Sequence, residues 1–436
     1  MERINASEAS KMKGKNVVIG GWIQESRDLG GLKFLLLRDW TGTIQVTAFK
    51  KTTEKKLFDL ISQYTKESVI EVQGKVQESK QAPNGIEVIP ERIELIAKAE
   101  MPTPIDLSGK IDSDLSVRLD WRSIDLRMPK NLAVIKIEAS LVKGMQEWLN
   151  ENKFLQIFTP CLMGSSSESG AEVFEVKYYN KKAFLRQDPQ LHRQLAIAAG
   201  IEKLYDLGPS WRAELSFTAK HLCEHRAVAV EQAFIKDELD TERTQEQVVI
   251  AGIKKVKDKC KKELELLGIE IKLPKVPFPE LRFPEIYSIL EKKGKKLKRG
   301  SDLDAEAEKI LWDYVKEKFG AEFYFFNRFP FEAKPFYVMR VDEDNEWARS
   351  VDLNFKGMEL SSGGQREHRH QKIMEQIKLK GMNERSLEWF TKFFKYGVPG
   401  HGGFAVGIER LTKQLLDLEN IREATLFPRD PERLLP

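Results

Sequence analysis

The sequence predicts an α+β protein in two parts: a small all-β barrel over residues 1–100 and a larger domain of mixed helices and strands over residues 127–436. Three observations carry this. Residues 15–98 alternate short β-rich runs with glycine-bearing turns. A connector containing Pro102 and Pro104 opens the stretch 101–126, which reads as a hinge. From residue 127 the hydrophobic period changes from that of a strand to that of a helix.

In order, the β-rich runs are 16–23, 34–39, 43–48, 68–74 and 86–90, with Gly30 and Gly31, Thr41 and Gly42, and Asn84 and Gly85 supplying turn chemistry. Residues 54–64 read as a helix between the third and fourth strands. Five strands with one inserted helix predict a Greek-key barrel of the OB type. In the second part, Val134, Ile137, Leu141, Met145 and Trp148 recur at helical spacing and give residues 130–150 one apolar face. Residues 154–160 read as a strand ending at Pro160. Ile253, Val256 and Cys260 form an apolar stripe within the lysine run 254–262, which therefore reads as a solvated helix face. A second lysine run, 292–299, contains Gly294 and reads as a loop, more readily a solvated one than one in contact with a phosphate backbone.

Composition narrows the function. With 436 residues, 32% charged and 41% hydrophobic, the chain has the balance of a globular protein of two or three domains. Residues 1–8 lack the apolar core of a secretory signal and no apolar run reaches transmembrane length, so a cytoplasmic enzyme without a membrane partner is expected. Cys161, Cys223 and Cys260 are odd in number and lack metal-site spacing, which argues against a disulfide scaffold or a zinc site. A net charge of +4 is too small to identify a nucleic-acid partner, but it permits local basic faces.

Four segments carry the chemistry. Residues 401–411 join His401, Gly402, Gly403 and Gly407 to a helix bearing Arg410; the glycines admit close backbone approach to a flat ligand, and the arginine is a permanent planar cation. Residues 359–367 run from Glu359 through Ser362, Gly363 and Gly364 to Arg366. Residues 210–214 contain Arg212 and Glu214 and are followed by His221 and Leu222, while 184–191 contain Gln187, Asp188 and Gln190. Together these segments resemble the class II aminoacyl-tRNA synthetases, most closely the aspartyl-tRNA synthetases of the short archaeal type, over nearly the whole chain.

The resemblance implies a catalytic domain built on an antiparallel sheet flanked by helices, and attack by a carboxylate on the α-phosphate of ATP. It implies that Arg212 grips the α-phosphate and Arg410 lies under the adenine and against the γ-phosphate. Glu214 would read the adenine amino group, His221 would reach the terminal phosphates, and Leu222, Glu359 and Gly407 would complete the ATP site. Asp352, Glu359 and Ser362 would hold Mg²⁺, which takes oxygen ligands and leaves positions for phosphate and water. Histidine acid–base catalysis is not implied, because the substrate carboxylate is itself the nucleophile. Pro160 and the helix before it match the interface of a homodimer.

For the amino acid, the resemblance implies that Arg366 binds the substrate side chain by two parallel hydrogen bonds. Asparaginyl relatives keep that arginine but lack a cation where this chain has Arg193. Two cations favour aspartate over an amide. Glu168 matches the acid on a loop closing over the substrate, Gln190 a pocket glutamine, and Ser362 a nearby contact. Two departures stand out: Asp188 replaces the usual serine, and Ala229 replaces the usual acid two residues before Glu231. Asp188 therefore takes the substrate ammonium, or pairs with Arg193, or faces water with no part in the pocket.

For the barrel, the resemblance implies a tRNA partner whose middle anticodon base stacks on Phe34, with Gln45 and Glu87 at base edges and Arg27 at the backbone. Gln24 and Pro83 occupy positions that separate enzymes strict for tRNA(Asp) from those that also charge tRNA(Asn); Pro83 matches the relaxed pattern and Gln24 matches neither. An aspartate-activating amide synthetase and a noncatalytic tRNA-binding paralogue compete with the ligase. Residues 1–100 argue against the first, and retention of Arg212, Glu214, Asp352, Glu359 and Arg410 against the second.

Overall fold

The computed structural model describes residues 2–164, 173–213 and 218–435. The chain divides into two compact units, Met1–Asp106 and Leu107–Pro436.

In the first unit, five strands, β1 (Asn16–Asp28), β2 (Leu32–Asp39), β3 (Gly42–Phe49), β4 (Val69–Glu78) and β5 (Ile86–Ala97), close into a barrel in the order β1-β2-β3-β5-β4. The expected OB-type barrel is thus present, with the inserted helix at Lys55–Ile61 between β3 and β4. Alternation sets its inside: Ile44, Val46 and Ala48 of β3 meet Leu35 and Leu37 of β2 in the core, while Gln45, Thr47 and Phe49 face outward. Closure brings backbones so near that a Cβ on Gly74 would lie 2.2 Å from the Ile89 carbonyl oxygen. The strands outrun the β-rich runs because polar outward residues continue the ladder, to Glu78 in β4 and Ala97 in β5.

The second unit carries β6 (Leu155–Ile157), β7 (Leu162–Met163), β8 (Glu175–Tyr178), β9 (Lys181–Leu185), β10 (Lys203–Trp211), β11 (Glu224–Ala233), β12 (Glu280–Arg282), β13 (Phe323–Asn327), β14 (Ser350–Phe355), β15 (Met358–Arg366) and β16 (His401–Gly407). Its main sheet runs β12-β13-β14-β15-β16-β11-β10-β6. The six central strands are antiparallel, as expected, but β6 pairs with β10 and β12 with β13 in parallel, so the sheet is mixed at both edges. The run 154–160 yields only the three residues of β6. Residues of the stretch 101–126 divide between the units, and 115–125 form two short helices in the second. There Arg122 is buried, bonded to Asp125 at 2.6 Å and to the Thr425 carbonyl at 2.9 Å.

Each sheet face has its own chemistry. Val228 and Val230 of β11, Leu353 of β14 and Val406 of β16 point into the largest core cluster, against Ile137, Leu141 and Met145 of the helix Pro129–Glu151 and Ile253 and Val256 of the helix Leu239–Lys259. The apolar stripes read for both helices are therefore buried. The helices approach closely enough that a Cβ on Gly144 would lie 2.6 Å from the Ala251 carbonyl oxygen. On the other face the same strands present Ala227, Asp352, Asn354 and Ala405, small or polar residues that leave room for a cavity.

Candidate active site and nucleic-acid interface

A cavity of about 530 Å³ lies on this second face. Its lining includes Asp188, Gln190, Arg193, Arg212, His221, Leu222, Asp352, Glu359, Ser362, Arg366, Gly407 and Arg410, so the site residues expected from four distant segments meet in one place. Glu168 and Glu214 lie outside the described residues.

At one end the side chains form a closed network. The Arg193 fork donates to both oxygens of Asp188, at 2.8 and 2.6 Å, and Nη2 also donates to Gln190 Oε1 at 2.7 Å. The same Gln190 oxygen accepts from Arg366 at 3.0 Å, and Gln190 Nε2 donates to Glu231 Oε2 at 3.0 Å. Arg366 Nε donates to Glu231 Oε1 at 3.0 Å, which leaves Arg366 Nη1 without a protein partner among the described residues. Burial alone would raise the Asp188 carboxyl, but the Arg193 guanidinium overrides it and holds the acid below its usual range. Asp188 is thus paired with Arg193. Ala229 faces Asp206 across the β10–β11 ladder, and Asp206 is itself paired with Arg186 at 3.4 Å. Beneath the network lies His401, pushed down to about 4 by burial and therefore neutral. Its Nδ1 donates to the Pro399 carbonyl at 2.8 Å, so Nε2 accepts from Gln194 at 3.1 Å.

At the other end, Arg410 Nη1 donates to the Glu359 carbonyl at 3.0 Å and stands 4.0 Å from its carboxylate. The backbone N–H of Arg212 donates to the Cys223 carbonyl at 3.0 Å, holding the end of β10 against the start of β11. His225 is pushed down to about 4 by burial and then by the Arg212 and Arg410 cations, so this cavity wall carries a neutral imidazole along with two guanidinium groups. His221 Nδ1 lies 2.6 Å from Thr218 Oγ1.

Asp352 and Ser362 are direct partners across the β14–β15 ladder, and Glu359 stands beyond a bulge in that hairpin. Asp352 Oδ2 pairs with Lys334 at 2.7 Å, while the buried Oδ1 has no hydrogen-bond partner among the described residues. Burial pushes this carboxyl up to about 6 against the pull of Lys334. Among the described residues no group of three or more His, Cys, Asp or Glu is arranged to hold a metal. Two carboxylates, one of them with an orphaned oxygen, and a hydroxyl fit an ion that completes its shell with phosphate and water.

In the first unit, Phe34 pairs with Arg27 on one side and Thr47 on the other and is half-buried on the outer face. Glu87, next to Gln45 across the β3–β5 ladder, is capped by Gln45 at 3.1 Å, Thr47 at 2.5 Å and Gln77 at 3.0 Å. Gln24 sits at the bulge in β1, and Pro83 is exposed on the turn between β4 and β5.

Residues 114–431 match the family model for tRNA synthetases class II (D, K and N), and residues 17–96 match the OB-fold nucleic acid binding domain. The chain belongs to the class II tRNA synthetases. As a member of that class it is an ATP-using ligase that joins an amino acid to tRNA. The aspartate–tRNA(Asp) ligase of Pyrococcus horikoshii is 44% identical over 98% of this chain and 97% of its own length. The aspartate–tRNA(Asp/Asn) ligase of Methanopyrus kandleri is 41% identical over 97% and 96%. The asparaginyl-tRNA synthetase of Pyrococcus horikoshii, solved with asparaginyl-adenylate, superposes with a TM-score of 0.92 at 31% identity, covering all of both chains. No helix among the described residues of this synthetase is long and apolar enough to cross a membrane.

Lys334, His225 and Tyr337 line the cavity with no motif to mark them, and Glu231 supports it as the partner of Arg366. Lys334 sits in an irregular segment with no period, and nothing local links it to Asp352, 18 positions on. Glu231 is legible only as a motif residue; its role as the partner of Arg366 depends on a strand pairing. His225 and Tyr337 line the cavity from neighbouring elements without a motif of their own.

Proposed function

We propose that this synthetase ligates aspartate to tRNA through an aspartyl-adenylate. The carrying observation is one cavity lined at one end by Arg366, whose Nη1 is left for a ligand by the pairings of its other nitrogens, and at the other by Arg212 and Arg410. The substrate α-carboxylate attacks the α-phosphorus of ATP and pyrophosphate leaves. A hydroxyl of the terminal ribose of tRNA then attacks the acyl carbon and AMP leaves. Arg212 and Arg410 offset the repulsion between the two anions, and Arg366 Nη1 reads the side-chain carboxylate. Asp352, Glu359 and Ser362 would hold Mg²⁺, which when bound supplies phosphate charge neutralisation. Glu168 and Glu214 complete the proposed amino-acid and adenine contacts, and His221, Leu222 and Gly407 the ATP site.

In the barrel, which spans 1–100 with a hinge at 101–126 before the catalytic 127–436, Phe34, Gln45, Glu87 and Arg27 read the anticodon. Gln24 and Pro83 flank that face, and the neutral Pro83 supports charging of tRNA(Asn) beside tRNA(Asp). A cytoplasmic homodimer is the proposed assembly, built on the helix Pro129–Glu151 and Pro160.

Pyrophosphate exchange tests the reading. Aspartate, and not asparagine, should drive exchange without tRNA. Arg212→Ala and Arg410→Ala should each lose about 3 kcal/mol of transition-state stabilisation. Near-normal exchange in both variants, or exchange driven by asparagine, would sink it. Charging of tRNA(Asp) alone in the same preparation would remove the relaxed-specificity arm.

A further inference from the structure

A second cleft, of about 620 Å³, opens on the barrel, and none of Phe34, Gln45 and Glu87 lines it. Phe49 and Ile89 give it an apolar floor, and Lys50, Lys51, Thr52 and Gln77 form its rim. The cleft continues the proposed base-reading face in two ways. Phe49 lies on the outward side of β3 in line with Gln45 and Thr47, because strand side chains alternate. Gln77 lines the cleft and also donates to Glu87 Oε1 at 3.0 Å, so one side chain belongs to both.

The backbone here is set before any partner arrives. The N–H groups of Thr52 and Thr53 donate to the Phe49 carbonyl at 3.1 and 2.8 Å, and Lys50 N–H donates to the Gly31 carbonyl at 3.0 Å. The Phe49 N–H donates to Thr53 Oγ1 at 3.1 Å. Both lysines are exposed, and neither ammonium has a carboxylate at ion-pair distance among the described residues. Phe49 keeps 36% of its surface open, a flat ring beside two cations. That pairing of a stacking platform with backbone-tracking charge suits single-stranded RNA: every base has a π-face and every nucleotide a phosphate.

We infer that this cleft holds one further nucleotide of the same single strand, outside the bases read by Phe34, Gln45 and Glu87, with its base on Phe49 and Ile89 and its phosphates on Lys50 and Lys51. The inference rests on the proposed anticodon reading of the barrel and extends it from three bases to a fourth.

The test uses the full chain and an anticodon stem–loop RNA, with affinity measured across a salt series. Phe49→Ala should weaken binding of the intact loop about tenfold. It should have no effect on a loop made abasic at the occupying position; abasic loops on the 5′ and 3′ sides of the triplet show which flank that is. Lys50→Ala with Lys51→Ala should flatten the salt dependence by about 0.7 for each phosphate that the lysines no longer neutralise. Wild-type affinity in both variants, or an equal loss by Phe49→Ala on intact and abasic loops, would overturn the inference. Absence of wild-type binding would overturn the anticodon reading itself, and the fourth subsite with it.

Discussion

At the scale of single residues, the amino-acid end of the cavity cancels its own charge. Arg193 and Arg366 face Asp188 and Glu231, and Gln190 bridges the two pairs through one oxygen. Arg193 is 1% exposed and spends its fork on Asp188, so it acts by fixing Asp188 and Gln190, and Arg366 Nη1 is left for a ligand. Breaking a buried pair by removing one partner costs about 3–5 kcal/mol, and the 26% exposure of Asp188 reduces that here. Asp188→Ser should therefore raise the aspartate KM about tenfold and leave the ATP KM in place; an unchanged aspartate KM would show that the pair positions nothing. Adding Ala229→Asp should not rescue, since the new carboxylate would stand directly opposite Asp206, and like charges across a ladder repel. These departures are visible in the sequence as one acid missing and one gained. Their partner is not, because the choice between a substrate ammonium and Arg193 depends on side-chain direction in the turn before the helix Gln190–Ala198.

At the scale of elements, periodicity locates what packs and fails where structure is irregular. The helix Pro129–Glu151 and the five barrel strands are legible because alternation and helical spacing run for many residues. Of the parallel edge strands, three residues each, β6 is legible as an apolar run ending at Pro160, while β12 is too short to carry a period. The first turn of the helix Leu239–Lys259 holds another feature that pattern does not reveal. Glu242 is buried there, pushed up to about 9 by burial and then by Glu280 and Glu238, and it accepts from Asn327 at 2.8 Å. Its unfolded carboxyl titrates at about 4.3. Between those values the folded chain holds a proton that the unfolded chain has released, so this group's contribution to stability is full at low pH and is lost as pH rises. Glu242→Gln keeps the acceptor for Asn327 and removes the titration. The variant should melt above wild type at about pH 8 and close to it at about pH 5. A difference in melting temperature that does not grow between the two would show that Glu242 is charged in the folded state.

At the scale of the whole molecule, the sheet ends in an unfinished surface. β6 pairs with β10 on one side only, and beside it Leu155, Phe158 and Leu162 are 54, 85 and 47% exposed. Three large apolar side chains around Pro160, at the edge of a sheet, form the surface that the proposed homodimer would cover. A twofold partner would cover this patch with its own copy, since an isologous interface sets each surface against itself. Fully burying a phenylalanine contributes about 1.5–3 kcal/mol, and it does so twice in such a dimer. A carboxylate in its place would instead be buried unpaired in such an interface. Phe158→Glu should therefore sediment at the mass of one chain at concentrations where wild type sediments at twice that mass. Its own fold should be retained, because Phe158 contributes to no core cluster of the described residues. Wild type sedimenting as a monomer would remove the homodimer. A Phe158→Glu variant that stays dimeric would place the interface elsewhere and leave these three side chains as plain exposed surface.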